Sequence, residues 1–258
     1  MPLIEHHTTH TPAGTLHTLR LARPPVNALD PALCIALAAA LRRAADEGAA
    51  GVLLAGGERV FCAGLDVPFL LGLGGDAEAL RAAWHSFFEA ARALAACPVP
   101  VIAALRGHAP AGGCVLALCC DQRLIAEGEV RIGLNEVQVG LAVPEGIQHL
   151  LRRVVGAQRA STWLCTGHMP NAAEALAAGL VDACLPAEEV EAEALLRLQR
   201  LAALPRQPLL TTRALARRDL VDSLAPACLD LDAAIADWYS ADTQAGLHAL
   251  VARLGKPG

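Results

Sequence analysis

Three short stretches carry residue types from which chemistry can be built: "FCAGLD" (61–66), "PAGGC" (110–114) and "GLNEVQVGL" (133–141). The first two are glycine loops, one after the apolar run "GVLLAGG" (51–57) and one after "CPVPVIAALRG" (97–107). A glycine turn at a strand exit leaves peptide N–H groups without intrachain acceptors. Two such loops side by side can aim two donors at one oxygen, the arrangement that stabilises an oxyanion. Residues Ala109–Cys120 contain no carboxylate, histidine, lysine or arginine, so a proton-transfer group has to come from elsewhere. Glu136, in the third stretch, reads equally well as a solvated loop carboxylate or ion-pair partner of Arg131 and as a group that moves protons.

These stretches need elements to hold them. The hydrophobic pattern predicts strands at 3–9 and 15–21 joined by the turn "TPAG" (11–14), then a helix with Asp30 as N-cap and Pro31 at its first position, running to about Glu47. The apolar runs at 51–55 and 99–105 read as buried strands, and Asp76 caps a second long helix through Ala96. "QRLIAEGEVRIG" (122–133) reads as two short strands about a glycine turn, and Pro144 opens a helix to about Val155. Beyond it come helices at 157–166 and from Asn171 to Gly179, a brief strand at 180–185, and three or four amphipathic helices to Leu254. Strand, glycine-rich loop and helix alternate, which argues for an α/β fold with crossover connections and a site in the loops after the strands. The expectation is one domain, with an α/β core over 1–200 and a helical region over 201–258 that packs on a neighbouring subunit.

Composition removes several classes of function. The 258 residues are 54% hydrophobic, yet Arg, Asp, Glu or His interrupts every stretch before the roughly 18 apolar residues of a membrane span accumulate. Met1–Arg20 holds His and Thr where a signal peptide needs an apolar segment, so a cytoplasmic protein without membrane contact is expected. A net charge of −5 and 3% aromatic residues leave no footprint for nucleic acid. The nine cysteines form no CxxC pair, and most, such as Cys34, Cys114, Cys119 and Cys184, read as small buried hydrophobes in a reducing compartment. His6, His7 and His10 look like metal ligands, but alternation beside a turn fits an exposed hairpin strand more simply, and no metal is expected. Lys256 is the one lysine, so a phosphorylated ligand would rest on arginines and backbone donors.

The order and spacing of "FCAGLD", "PAGGC" about fifty residues later, and "GLNEVQVGL" resemble the crotonase (enoyl-CoA hydratase/isomerase) superfamily, from about "RPPVNAL" to about residue 190. The resemblance implies a spiral of ββα units with a helical C-terminal trimerisation region, assembled as a homotrimer or dimer of trimers. It implies an acyl-CoA partner, the coenzyme A thioester being substrate, with no separate cofactor. By position, Leu65 and Gly112 would supply the two backbone N–H groups that hold the thioester oxygen. Ala63, Gly64, Asp66 and Val67, with Ala28 of "PVNAL" and Asn135, would line the substrate channel.

Hydratases of the superfamily use two glutamates, and here the first position is Val115 while the second is Glu136. Adding water needs one carboxylate to activate it and another to share the proton traffic, whereas moving a double bond needs one base. With "PAGGC" and "GLNE", the single-glutamate pattern is more similar to the mitochondrial-type Δ3,Δ2-enoyl-CoA isomerases than to the hydratases. The expected activity is therefore isomerisation of 3-enoyl-CoA to 2-trans-enoyl-CoA in fatty-acid degradation. The alternatives are hydration or another crotonase reaction by Glu136 with Glu145 as second acid, and acyl-CoA binding without turnover. Glu145, after Pro144, also suits a helix start for its charge alone. Asp66 and Asp121 read more simply as caps or ion-pair partners, and His108 as a satisfied loop histidine.

Overall fold

The computed structural model describes residues 2–254. Strands β1 (Ile4–Thr11) and β2 (Gly14–Leu21) form an antiparallel hairpin. Its turn is tighter than the sequence implied because the Thr11 hydroxyl donates to Gly14 O at 2.7 Å and accepts from the Ala13 N–H at 3.2 Å. Helix α1 (Pro31–Asp46) starts where expected: the Asp30 carboxylate accepts from the Leu33 N–H at 2.8 Å, and Pro31 fills a position with no N–H to satisfy. Its buried face, Leu33, Leu37, Leu41 and Ala44, recurs every three to four residues and packs on the second long helix, Ala77–Ala95.

After β3 (Gly51–Ala55) comes a short helix that the pattern did not show, α2 (Val67–Gly72), capped by Asp66, and then α3 (Ala77–Ala95), capped by Asp76. Strand β4 (Val101–Leu105) leads through β5 (Ala109–Pro110) into α4 (Gly112–Leu118), and β6 (Gln122–Ala126) returns to the sheet. The segment 122–133 is not a hairpin: β7 (Ile132–Gly133) leaves the main sheet and pairs in parallel with β5. The reason lies in its partners, since the Ala109 N–H donates to Arg131 O and the Ala111 N–H to Gly133 O. A 3-10 turn (Glu136–Val139) precedes α5 (Glu145–Val155), α6 (Ala157–Thr166) and α7 (Ala172–Ala177). Strand β8 is only Ala183–Leu185, because the N–H groups of Leu180 and Val181 both turn back to Ala175 O at the end of α7.

The main sheet has the order β1-β2-β3-β4-β6-β8, parallel from β2 onward. Parallel strands need cover on both faces, and the alternation along each strand supplies it. Val52 and Leu54 of β3, with Val101, Ala103 and Leu105 of β4, face the large core shared with α1 and α3. Leu53, Ile102 and Ala104 face the other way, onto Val190, Ala194 and Leu198 of α8 (Val190–Ala202). This helix therefore crosses residue 200 while covering the sheet. Five more helices follow: α9 (Arg206–Ala216), α10 (Arg218–Ser223), α11 (Pro226–Leu229), α12 (Leu231–Trp238) and α13 (Ala241–Leu254). The last of them packs back on its own chain, against the 3-10 turn and α2. No helix among the described residues is long and apolar enough to cross a membrane.

Candidate active site

The two glycine loops meet. In the first, the N–H groups of Phe61 and Cys62 donate to His108 O, that of Ala63 to Val26 O and that of Asp66 to Leu29 O. Leu29 also donates to Gly64 O at 2.7 Å, so the loop is laid against residues 26–29 as a parallel bridge. Among the described residues no acceptor receives the Leu65 N–H, nor that of Gly112 at the first turn of α4. Gly64 takes φ +85°, and a Cβ on it would stand 3.1 Å from the Gly112 nitrogen; one on Gly113 would stand 2.3 Å from Cys62 O. The glycines thus let backbone lie on backbone, bringing the two spare donors together. Ala111, at φ 47° and ψ −119°, twists the peptide that carries the Gly112 N–H. A side-chain-bearing residue in that region costs about 1–3 kcal/mol, which the packing around it must offset.

Both donors border a cavity of about 700 Å³, whose walls also include Ala28, Ala63, Asp66, Val67, Val115, Asn135 and Glu136. Of the residues singled out from sequence, Gly64 stands behind the wall, and Glu145 is exposed at the start of α5 and does not line the cavity. Glu136 is half-buried as a residue, but its Oε2 is shut from solvent and has no hydrogen-bond partner. Burial pushes its carboxyl up to about 7, its own backbone N–H opposing weakly. Its charge in turn helps hold the buried Cys114 thiol of α4 well above the ordinary range, after burial itself. Arg131 is not its partner: that guanidinium donates to Met169 O and lies near Glu129.

The other carboxylate of the wall is occupied. Asp66 Oδ2 accepts from Arg23 at 2.6 Å, and its Oδ1 accepts from the Phe69 N–H at 3.0 Å to cap α2. Asp121 lies outside the wall and is held by Arg213 and Arg217 while accepting from the Val101 N–H. His108 does line the cavity, with its Nδ1 accepting from the Arg131 N–H at 3.0 Å.

Sequence reasoning missed Arg23, which pairs with both Asp30 and Asp66, and the aromatic wall of Trp84, Phe87 and Phe88. The i, i+3, i+4 spacing of the three aromatics on α3 was a readable signal of a shared face. It also missed Leu250 of α13 at the cavity edge. The histidine strand behaves as expected in part. His6 is half-buried and bonds His17 at 2.8 Å, and with Glu47 these two bring three potential ligand atoms within 4.8 Å of one another. The Arg43 guanidinium occupies the remaining ring nitrogen of His6.

The enoyl-CoA hydratase/isomerase family profile matches residues 12–254. The chain belongs to this family. It is 31% identical over 208 residues to the human mitochondrial enoyl-CoA delta isomerase 1, covering 78% of this chain and 67% of that one. It is 37% identical over 202 residues to a probable enoyl-CoA hydratase of Mycobacterium avium, covering 77% of each. The crystal structure of human mitochondrial delta3-delta2-enoyl-CoA isomerase superposes with a TM-score of 0.91 at 28% identity over 98% of both chains. That of an enoyl-CoA hydratase/isomerase from Mycobacterium paratuberculosis gives 0.85 at 26% identity, over 96% of this chain and 98% of that one. The fold is accordingly the crotonase fold, a mixed α/β core with C-terminal helices.

Proposed function

We propose that the protein isomerises 3-enoyl-CoA to 2-trans-enoyl-CoA with Glu136 as the single base. The observation that carries this reading is that Glu136 and Asp66 are the carboxylates of the cavity wall, and Asp66 is committed to Arg23 and to the cap of α2. Val115, fully buried on α4, offers no proton acceptor where a hydratase of the resemblance would have its other glutamate. Glu136 takes the proton from C2, the electron pair spreads through the thioester as a dienolate, and the protonated Glu136 returns the proton at C4. The double bond moves from C3–C4 to C2–C3 with no atom gained or lost. The dienolate oxygen is held by the Leu65 and Gly112 N–H groups, each such donor being worth about 3–4 kcal/mol. A carboxyl raised by an apolar site is a stronger base than a solvated one, which suits proton removal from carbon. No cofactor beyond the coenzyme A moiety of the substrate enters this scheme.

The similarity to a probable hydratase keeps hydration as the competing reaction, with Glu145 as its second acid. The exposed position of Glu145, outside the wall, weighs against it. Self-association as a trimer or hexamer is supported by the exposed apolar side chains Leu196, Leu204 and Leu215 on and between α8 and α9. Incubation with a 3-enoyl-CoA and, separately, a 2-enoyl-CoA decides the reaction. Isomerisation leaves the mass of the first unchanged while its double bond becomes conjugated; a gain of one water by the second, at a comparable rate, overturns the reading.

A further inference from the structure

The 3-10 turn that begins with Glu136 is short, and residues 136–139 bury none of their side chains fully. What holds it comes from elsewhere in the chain. On one side, the Gln138 side chain donates to Gly167 O at 2.9 Å at the end of α6. On the other side lies α13, about a hundred residues later. The Thr243 hydroxyl, in a residue only 2% exposed, donates to Gly140 O at 2.5 Å. Gly140 is the left-handed residue, at φ +80°, that ends the turn, and a Cβ on it would stand 2.9 Å from Thr243 Cα. One helical turn on, Gly246 packs so closely that a Cβ there would stand 2.5 Å from Val139 O. Leu247 is fully buried beside it, and Leu250 reaches the cavity wall. The contact between α13 and the turn is thus backbone on backbone, fastened by one buried hydroxyl.

We infer that Thr243 and Gly246 are positioning residues: α13 fixes the backbone of Gln138–Gly140 and through it the place of the Glu136 carboxylate against the oxyanion donors. This rests on the reading of Glu136 as the base. The physical reason is that a carboxylate whose buried Oε2 has no partner, and whose one hydrogen-bonding neighbour is its own backbone N–H, takes its aim from the rigidity of the turn that carries it. A misplacement of about 1 Å at a reacting group typically costs about 100-fold in rate.

The test uses the full-length protein and four variants, Thr243→Val, Thr243→Ser, Gly246→Ala and Glu136→Gln, plus the double variant Thr243→Val with Glu136→Gln. Thr243→Val keeps the shape and removes the hydroxyl, so kcat should fall about 10–100-fold with KM for a 3-enoyl-CoA within about twofold. Thr243→Ser should restore most of kcat, and Gly246→Ala should reproduce the loss by pushing on Val139 O. In the Glu136→Gln background the Thr243→Val change should have no further effect on residual turnover, because two changes acting through one group are not additive. Hydrogen exchange of the amides at 136–141 should quicken in Thr243→Val and Gly246→Ala while the amides of β3 and β4 keep their protection. A loss that appears in KM, a full additional loss in the Glu136→Gln background, or unchanged exchange at 136–141 overturns the inference. If the wild type does not turn over 3-enoyl-CoA at all, the functional reading fails by itself. The exchange comparison then decides whether α13 holds the turn, and an unchanged pattern refutes that too.

Discussion

Replacing Glu136 by Gln should cut turnover steeply and make the folded protein more stable, with a pH signature that identifies the cause. The Glu136 carboxyl is pushed from its ordinary value of 4.5 up to about 7 by burial. A group whose folded value is raised holds its proton in the native state over a range where the unfolded chain has released it. Its contribution to stability is therefore complete below 4.5 and is lost as pH rises through about 7. The gap between the two values, at about 1.4 kcal/mol for each pH unit, amounts to about 3 kcal/mol of stability that the wild type has lost at pH 8. Gln keeps the shape and carries no charge to desolvate, so Glu136→Gln should be more stable than the wild type by up to about 3 kcal/mol at pH 8 and by under about 1 kcal/mol at pH 5. Urea unfolding of both proteins at the two pH values, followed by far-ultraviolet circular dichroism, measures the difference. In the same preparation kcat should fall by about 10²–10⁴ while acyl-CoA affinity changes little. The wild-type kcat should itself decline as pH drops below about 7, as the base becomes protonated. A variant no more stable at pH 8, or one whose advantage does not shrink toward pH 5, would refute the account of Glu136 as a buried carboxylate held at an energetic cost.

Gly112→Pro deletes one oxyanion donor, so single-turnover isomerisation should slow by at least about 10²–10³-fold, with circular dichroism checking that the fold remains. Asp121→Ala leaves Arg213 and the nearly buried Arg217 without their carboxylate and should cost about 3–5 kcal/mol, read as a shift in the urea midpoint. Burial, above all, holds the His6 and His17 rings below their ordinary value of 6.5, so the stability they favour is complete above 6.5 and is lost as pH falls from there through the lowered folded values. His17→Leu should flatten the pH dependence of the unfolding free energy between pH 7 and pH 5, and an unchanged slope would show that the pair is not its source. Glu145→Gln, at an exposed helix start, should change stability by no more than about 0.3–1 kcal/mol and leave kcat as it is, whereas a hydratase-like pair would lose turnover.

Much of the architecture was written in local pattern. Asp30-Pro31 and Asp76 cap the two long helices because each carboxylate needs only the backbone three residues ahead. The all-apolar runs at β3 and β4 could only be strands covered on both faces. The glycine loops and Glu136 were legible too, because a residue type in a given order is a property of the chain. Where the local signal was weak, the structure departed from expectation. Strand 180–185 lost its first half because Ala175 O at the end of α7 takes the Leu180 and Val181 N–H groups, and β7 left β6 because its neighbouring carbonyls, Arg131 O and Gly133 O, accept from the Ala109 and Ala111 N–H groups at β5.

What the sequence determined by itself was therefore the set of chemical groups: two loops with spare donors, one glutamate, and a valine where another carboxylate would have stood. The tertiary structure alone decided their state. A raised carboxyl at Glu136 requires that Oε2 be closed off from water, and the wall around it includes residues as distant in the chain as Ala28, Leu65 and Gly112. Asp66 reads as a cap in sequence, but its second oxygen is taken out of contention by Arg23, forty-three residues earlier. Leu65 and Gly112 become a pair only because Gly64 and Gly113 have no side chains to hold two distant loops apart. Desolvation, ion pairing and backbone contact all depend on what arrives from far along the chain, and that is fixed by packing rather than by any local run of residues.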